Sequence, residues 1–131
     1  MHTTFNPPFW LKNPHLQTIL PRYLVKYTPK YERILIKDSL KQSDVAFDFV
    51  MADDIKDHTG KYTTPIIVLF HGMEGSSQSH YAKTLAKNIT HAGYHFVVAH
   101  FRSCGGVAVA GDVFYNAGDT KDCLLYTSDA A

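Results

Sequence analysis

His71-Gly72-Met73-Glu74-Gly75-Ser76-Ser77 is the stretch on which the reading of this chain turns. Before it, Pro65-Ile66-Ile67-Val68-Leu69-Phe70 is an apolar run with a β-branched core. Such a run predicts a strand buried on both faces. After it, Tyr81, Leu85, Ile89 and Ala92 recur at helical spacing up to Gly93, a natural residue to follow a helix end. Strand, glycine-bearing loop and helix therefore follow one another. Main-chain N–H groups gather at the carboxyl end of a strand, beside a helix N-terminus, and that geometry suits negative charge.

The kind of negative charge narrows by elimination. A phosphate-binding P-loop needs a Lys after its second glycine, and none follows here; a dinucleotide fingerprint needs Gly-x-Gly-x-x-Gly, and only Gly72-x-x-Gly75 exists. Two readings stay open. One is an oxyanion hole, in which main-chain donors meet the alkoxide that forms as an ester carbonyl is attacked, with glycine at 72 letting substrate come close to the backbone. The other is an ordinary strand-to-helix turn.

Composition bounds the rest. A chain of 131 residues with 45% apolar content is one domain's length with material for a globular core. The formal net charge of +1, with the signs interspersed, carries no nucleic-acid footprint. Its apolar runs are too short to span a bilayer. The first residues lack the basic and apolar regions of a signal peptide. Two cysteines make no disulfide framework, and a cytoplasmic setting is expected.

Residues 1–30 set Phe5, Phe9, Trp10, Tyr23 and Tyr27 among Pro7, Pro8, Pro14, Pro21 and Pro29. Prolines so spaced forbid long helices, and the stretch is expected to be an arm laid across the domain and anchored by aromatic burial. A short helix is predicted from Asn13, with Asn as N-cap and Pro14 in the first turn. His15 within it is either a functional group or simply a packed or solvated histidine. Residues 31–37 and 45–50 alternate apolar with polar, which predicts two strands of a hairpin or meander joined near residues 38–44. Residues 53–64 read as a polar surface loop.

Residues 94–100 are the next strand, and with the helix before it they complete a βαβ unit with a parallel, right-handed crossover. Phe101-Arg102-Ser103-Cys104-Gly105-Gly106 is a second glycine loop at a strand's carboxyl end, the edge where ligands bind in open α/β sheets. Arg102 there either pairs with a carboxylate in or beneath the site or holds the loop. A further helix opens at residues 116–122 and is expected to end almost at once.

No Gly-x-Ser-x-Gly nucleophile elbow is present in the sequence. Cys104 follows a strand, but a nucleophilic cysteine needs an identifiable basic partner. Among eight histidines, His91 and His95 have a zinc-like spacing. Gly93 divides them between a helix end and a strand, so no metal site and no cofactor are expected.

Several stretches together resemble one family, the YheT-like branch of the α/β-hydrolases, whose mammalian relatives are abhydrolase-domain lipases and esterases. They are Asn13-Pro14-His15-Leu16-Gln17-Thr18, the His71–Ser77 stretch, Ser79-His80-Tyr81-Ala82, His100-Phe101-Arg102-Ser103-Cys104-Gly105-Gly106, and Tyr115 through Gly118-Asp119-Thr120-x-Asp122. All fall in the family's order, within residues 5–122. Ser103 departs from the pattern, where the family more often has glycine.

The resemblance implies an α/β fold: the N-terminal part of an α/β-hydrolase, with a mostly parallel sheet and flanking helices, truncated before the nucleophile elbow. It implies ester hydrolysis by a Ser-Asp-His triad lying beyond Asp122, on small-molecule esters with short- or medium-chain acyl groups. Gly72 and the backbone N–H of Met73 would form half of the oxyanion hole, with His71 and Glu74 beside the substrate. The chain itself would be inactive. The competing class is a hydrolase-fold protein that binds a ligand without turnover.

The final nine residues, 123–131, do not match the helix begun at 119–122, because Tyr126-Thr127-Ser128-Asp129 are weak helix formers. They resemble a translated sequencing-library adapter. The expected organisation is therefore an N-terminal hydrolase part over 1–122, with the arm at 1–30, and a non-native tail over 123–131.

Overall fold

A β-hairpin begins the sheet. β1 (Glu32–Lys37) and β2 (Asp44–Val50) pair antiparallel, with Arg33 opposite Asp48 and Lys37 opposite Asp44. The connecting turn is held by Asp38, whose Oδ1 accepts the N–H groups of Gln42 at 2.9 Å and Ser43 at 3.3 Å, and by Lys41 in the left-handed region at φ 56°. The computed structural model describes residues 6–9, 12–52, 64–72, 75–112 and 120–129.

The third strand in sequence is not the third in space. β4 (His95–Ala99) lies between β2 and β3 (Ile66–Phe70), giving the order β1-β2-β4-β3. β2 and β4 run antiparallel, while β3 and β4 run parallel, from Ile66 beside His95 to Phe70 beside Ala99. This parallel pair and α2 (His80–His91) are the expected βαβ unit. The architecture is α/β, with a mixed sheet in which β3–β4 is the one parallel pairing among the described residues.

Burial follows the two-residue period of the strands. Val45 and Phe47 join Val97 and Ala99 on one face; Val50 joins Phe96 and Val98 on the other, under Ala82 and Ala86 of α2. All five residues of β4 are buried. β3 is different: Ile66, Ile67 and Phe70 are each more than a third exposed. The expected burial on both faces is corrected here. β3 is the edge of the described sheet, and only its β4 side is covered.

α2 also shifts from its expected register. Ala82 and Ala86 are buried, Tyr81 and Ile89 pack beside them, and Leu85 is exposed. Small residues let the helix sit close to the sheet, so the contact stripe runs one position away from the largest apolar side chains. Its end is as expected, with Ala92 as C-cap and Gly93 at φ +85°.

α1 (Pro14–Leu24) starts as the sequence predicts: Asn13 Oδ1 accepts the N–H of His15 at 2.9 Å, and Pro14 occupies the first turn. His15 is exposed. The aromatic anchoring expected of this arm is not found at Phe9 or Tyr23, which are exposed, and α1 buries none of its residues. Tyr27 alone among the described arm aromatics meets the domain, with Lys87 Nζ of α2 5.9 Å from its ring. Phe5 and Trp10 lie outside the described residues. α3 (Thr120–Asp129) corrects a second expectation, continuing as a helix through Tyr126-Thr127-Ser128-Asp129 despite their weak propensity.

Candidate active site

The loop between β3 and α2 is closed by main-chain hydrogen bonds. Gly75 N–H donates to Gly72 O at 2.9 Å, and Ser79 N–H donates to Ser76 O at 3.0 Å. Ser79, the N-cap of α2, turns its hydroxyl back to accept the Ser76 N–H at 3.1 Å. The two glycines play opposite parts. A Cβ on Gly72 would meet nothing within 4 Å, whereas one on Gly75 would lie 2.4 Å from Tyr81 Oη and 2.9 Å from His71 Cβ. Gly72 thus leaves space open, and Gly75 fills a place where no side chain fits. Met73 and Glu74 lie outside the described residues.

His71 is buried at the root of the loop. Its Nε2 accepts the Phe101 N–H at 3.3 Å, so Nδ1 carries the proton and donates to Gly72 O at 2.8 Å. Its ring packs edge-on to Phe101 at 5.2 Å and lies 5.5 Å from the ring of His100. The side chain expected beside the substrate is therefore engaged in joining the two strand-end loops.

Behind the loop lies a buried polar cluster. Asp48, Ser77 and His100 are all 1% exposed or less. Ser77 Oγ donates to Asp48 Oδ2 at 2.5 Å, Ser77 N–H donates to His100 Nε2 at 3.1 Å, and Tyr31 Oη donates to Ser77 O at 2.8 Å. Arg33 grips both Asp48 oxygens from the neighbouring strand, each at 2.7 Å. His100 Nε2 is an acceptor, so its proton sits on Nδ1, which donates to Ala46 O at 3.0 Å. The imidazole is neutral.

Residue types of a catalytic triad meet here without its geometry. The serine hydroxyl is bonded to the carboxylate, the histidine takes a main-chain N–H, and nothing frees Ser77 to attack. The cluster instead fastens the loop to β1, β2 and the end of β4.

Electrostatics agree with that role. Burial pushes the Asp48 carboxyl up, but hydrogen bonds from Arg33 and Ser77, with the charge of Arg33, outweigh it and hold the group below the usual carboxylate range. Burial pushes His100 down, against the Ala46 carbonyl and the Asp48 charge, and favours the neutral ring. Tyr31 is raised, chiefly by burial and then by Asp48, and keeps its proton.

Arg102 resolves to a structural role. Its Nε donates to Asp38 at 2.7 Å and its Nη2 pairs with Asp122 at 2.7 Å, joining the β1–β2 turn to α3. Asp122 also accepts the Ser39 N–H at 3.0 Å. His91 is exposed at the end of α2, while His95 is buried in β4 with Nδ1 accepting the Ala52 N–H at 3.1 Å. Among the described residues, no group of three or more His, Cys, Asp or Glu could hold a metal ion.

In front of the loop is a cleft of about 980 Å³ between α1 and α2. Ile19, Arg22 and Tyr23 of α1 line one wall; Gly72, Ser76 and Lys83 line the other. Open space at Gly72 thus gives onto a cavity large enough for a small organic ligand.

Sequence reasoning found the loop and missed the cluster behind it. Asp48 lies in phase with Ala46 and Val50, on the face that packs under α2. A carboxylate in phase with apolar residues, opposite an arginine in the neighbouring strand, was the available signal.

No family model matches the chain. It is 36% identical over 125 residues to "Putative esterase YheT" of Escherichia coli (strain K12), covering 93% of this chain and 34% of that protein. It is 28% identical over 126 residues to an abhydrolase domain-containing protein of Dictyostelium discoideum, covering 95% of this chain and 31% of that protein. The chain thus spans about a third of the length of these relatives. Among solved structures it matches an alpha-beta serine hydrolase homologue from Coxiella burnetii, with a TM-score of 0.53 and 20% identity over 79% of this chain and 46% of that one. That match is one of fold.

Proposed function

Because the chain belongs to the YheT-like abhydrolase family, we propose that the protein from which it comes is a serine hydrolase of small carboxylic esters with short- or medium-chain acyl groups. Gly72 and the Met73 N–H form the loop half of the oxyanion hole. Glu74 borders the substrate, and His71 holds the loop's shape. The nucleophile, Asp and His lie beyond Asp122, and this chain on its own is expected to be inactive. Residues 123–131 are foreign to that protein, and its setting is cytoplasmic.

The observation that carries this reading is the placement of Gly72. It stands at the carboxyl end of β3, its Cα open to the cleft, on a loop whose far side is fastened by the Ser77 cluster. A donor useful in catalysis has to be fixed before the charge develops, and a loop so held meets that condition.

The test is to read the genomic DNA past the codon for Asp122 and to express the whole frame. A Gly-x-Ser-x-Gly sequence followed by Asp and His, with that serine labelled by a fluorophosphonate, is expected. A stop codon, or a replaced serine with retained ligand binding, would support a non-catalytic hydrolase-fold protein instead. In the active parent, Met73→Leu keeps the amide and should stay within a few-fold of full activity. Met73→Pro removes the donor and should lower kcat by about 10²–10³, the cost of one oxyanion donor. A folded Met73→Pro protein with undiminished kcat would reduce the loop to a turn.

A further inference from the structure

We propose that the cleft between α1 and α2 binds the anionic group of an amphiphilic ligand, and that the esters this site accepts carry a negative charge close to their acyl chain. The ester part rests on the hydrolase reading above; the anion part does not.

Three observations converge on it. First, Arg22 of α1 and Lys83 of α2 line the same cleft; among the described residues no carboxylate lines it and neither cation has an ion-pair partner. Two unpaired cations beside one cavity raise the local potential and attract anions. Second, Lys83 stands near the start of α2, which has no acidic residue in its first turn. A cation there opposes the helix dipole, and an anion in the cleft would offset that cost. Third, Ile19 and Tyr23 share the face of α1 that carries Arg22, and Tyr23 is 72% exposed. An apolar wall beside a paired cationic rim matches a ligand with a short hydrocarbon chain and a charged end.

Phosphate and carboxylate amphiphiles share this chemistry, and the test separates them. The full 131-residue chain is titrated by calorimetry, below micellar concentrations, with octyl phosphate, octanoate, inorganic phosphate and octyl glucoside. Octyl phosphate or octanoate is expected to bind, and the tighter of the two identifies the headgroup. The double substitution Arg22→Gln with Lys83→Gln should weaken that binding at least ten-fold. Arg22→Lys, which keeps the charge, should largely retain it. Both sites lie outside the buried core, and an unchanged melting temperature checks the fold.

Equal affinity in the double variant would overturn the proposal. So would octyl glucoside binding as tightly as octyl phosphate, which would leave an apolar groove only. Inorganic phosphate binding as tightly as octyl phosphate would likewise overturn it, by removing the role of the chain. The hydrolase reading fails separately, in the frame and labelling experiments, which involve neither Arg22 nor Lys83.

Discussion

The Ser77 hydroxyl donates to the Asp48 carboxylate at 2.5 Å, tying the loop before α2 to the middle of β2. The same carboxylate is held from the other side by Arg33 at 2.7 Å. Asp48 is thus the point at which sheet and loop share one charge. The bond fixes the loop that bears Gly72 through a residue five positions away, rather than through contact with any ligand.

Asp48→Asn should be strongly destabilising. It removes the charge that Arg33 and Ser77 both address, and breaking a buried pair typically costs about 3–5 kcal/mol; partial exposure of Arg33 puts the expected loss at about 2–4 kcal/mol. Ser77→Ala leaves Asp48 short of one donor and should cost about 1–3 kcal/mol. Urea midpoints measure both. Losses below half a kilocalorie in each would show that the cluster does not hold the loop.

Acid should destabilise the chain in two stages. His100 is depressed in the fold, so its unfolded form binds the proton more readily, and the stability held above the ordinary imidazole value of about 6.5 is lost as pH falls toward the folded value. Asp38 and Asp48 are depressed too. Their contribution is present above the ordinary carboxylate value of about 3.9 and is lost as pH falls through their folded values. Urea midpoints taken from pH 8 downward should show both declines. In His100→Gln the upper stage should disappear while the lower remains; an unchanged upper stage would assign it elsewhere.

The two loop glycines should separate on substitution. Gly72→Ala adds a methyl group to open space and is expected to change stability by less than about 0.5 kcal/mol. Gly75→Ala drives its methyl against Tyr81 Oη and His71 Cβ, and should cost about 1–3 kcal/mol by overpacking. Thermal melts of the two variants decide it. Equal stabilities would mean that the loop relaxes freely around position 75.

Arg102→Met should destabilise more than Arg102→Lys. The first leaves Asp38 and Asp122 buried without their cation, at about 3–5 kcal/mol. The second keeps a charge but cannot span both carboxylates with a planar fork. If Met proves the milder change, the arginine is not what joins the β1–β2 turn to α3.

The elements that were legible in the sequence carry their signal locally. Asn13 followed by Pro14 sets the start of α1, and Gly93 marks the end of α2. The alternations around Ile34 and Phe47 set the hairpin. What was not legible depends on neighbours in space. The run from Ile66 to Phe70 reads as buried because it is apolar, yet its exposure is fixed by which strand flanks it, and only β4 does so here. Ser77 looks like an ordinary loop residue, and the phase of Asp48 with Ala46 and Val50 marks it as inward-facing without naming its partner; the two meet only because the sheet sets β2 beside β4. Gly72 was found because a glycine after a strand is a local feature; its open surroundings are set by α1, distant in the chain.

The order β1-β2-β4-β3 also sets a schedule for synthesis. β3 leaves the ribosome before the only described strand it pairs with, and the hairpin of β1 and β2 cannot reach it in the meantime. Until residue 99 has emerged, the nascent chain carries one finished hairpin and one solitary apolar strand, with α2 following it. β4 then has to enter between partners already made, closing contacts distant in sequence in a single late step. A pause that holds residue 70 outside the ribosome and residue 95 still within it would prolong the time β3 waits alone, whereas a pause once residue 99 has emerged would not.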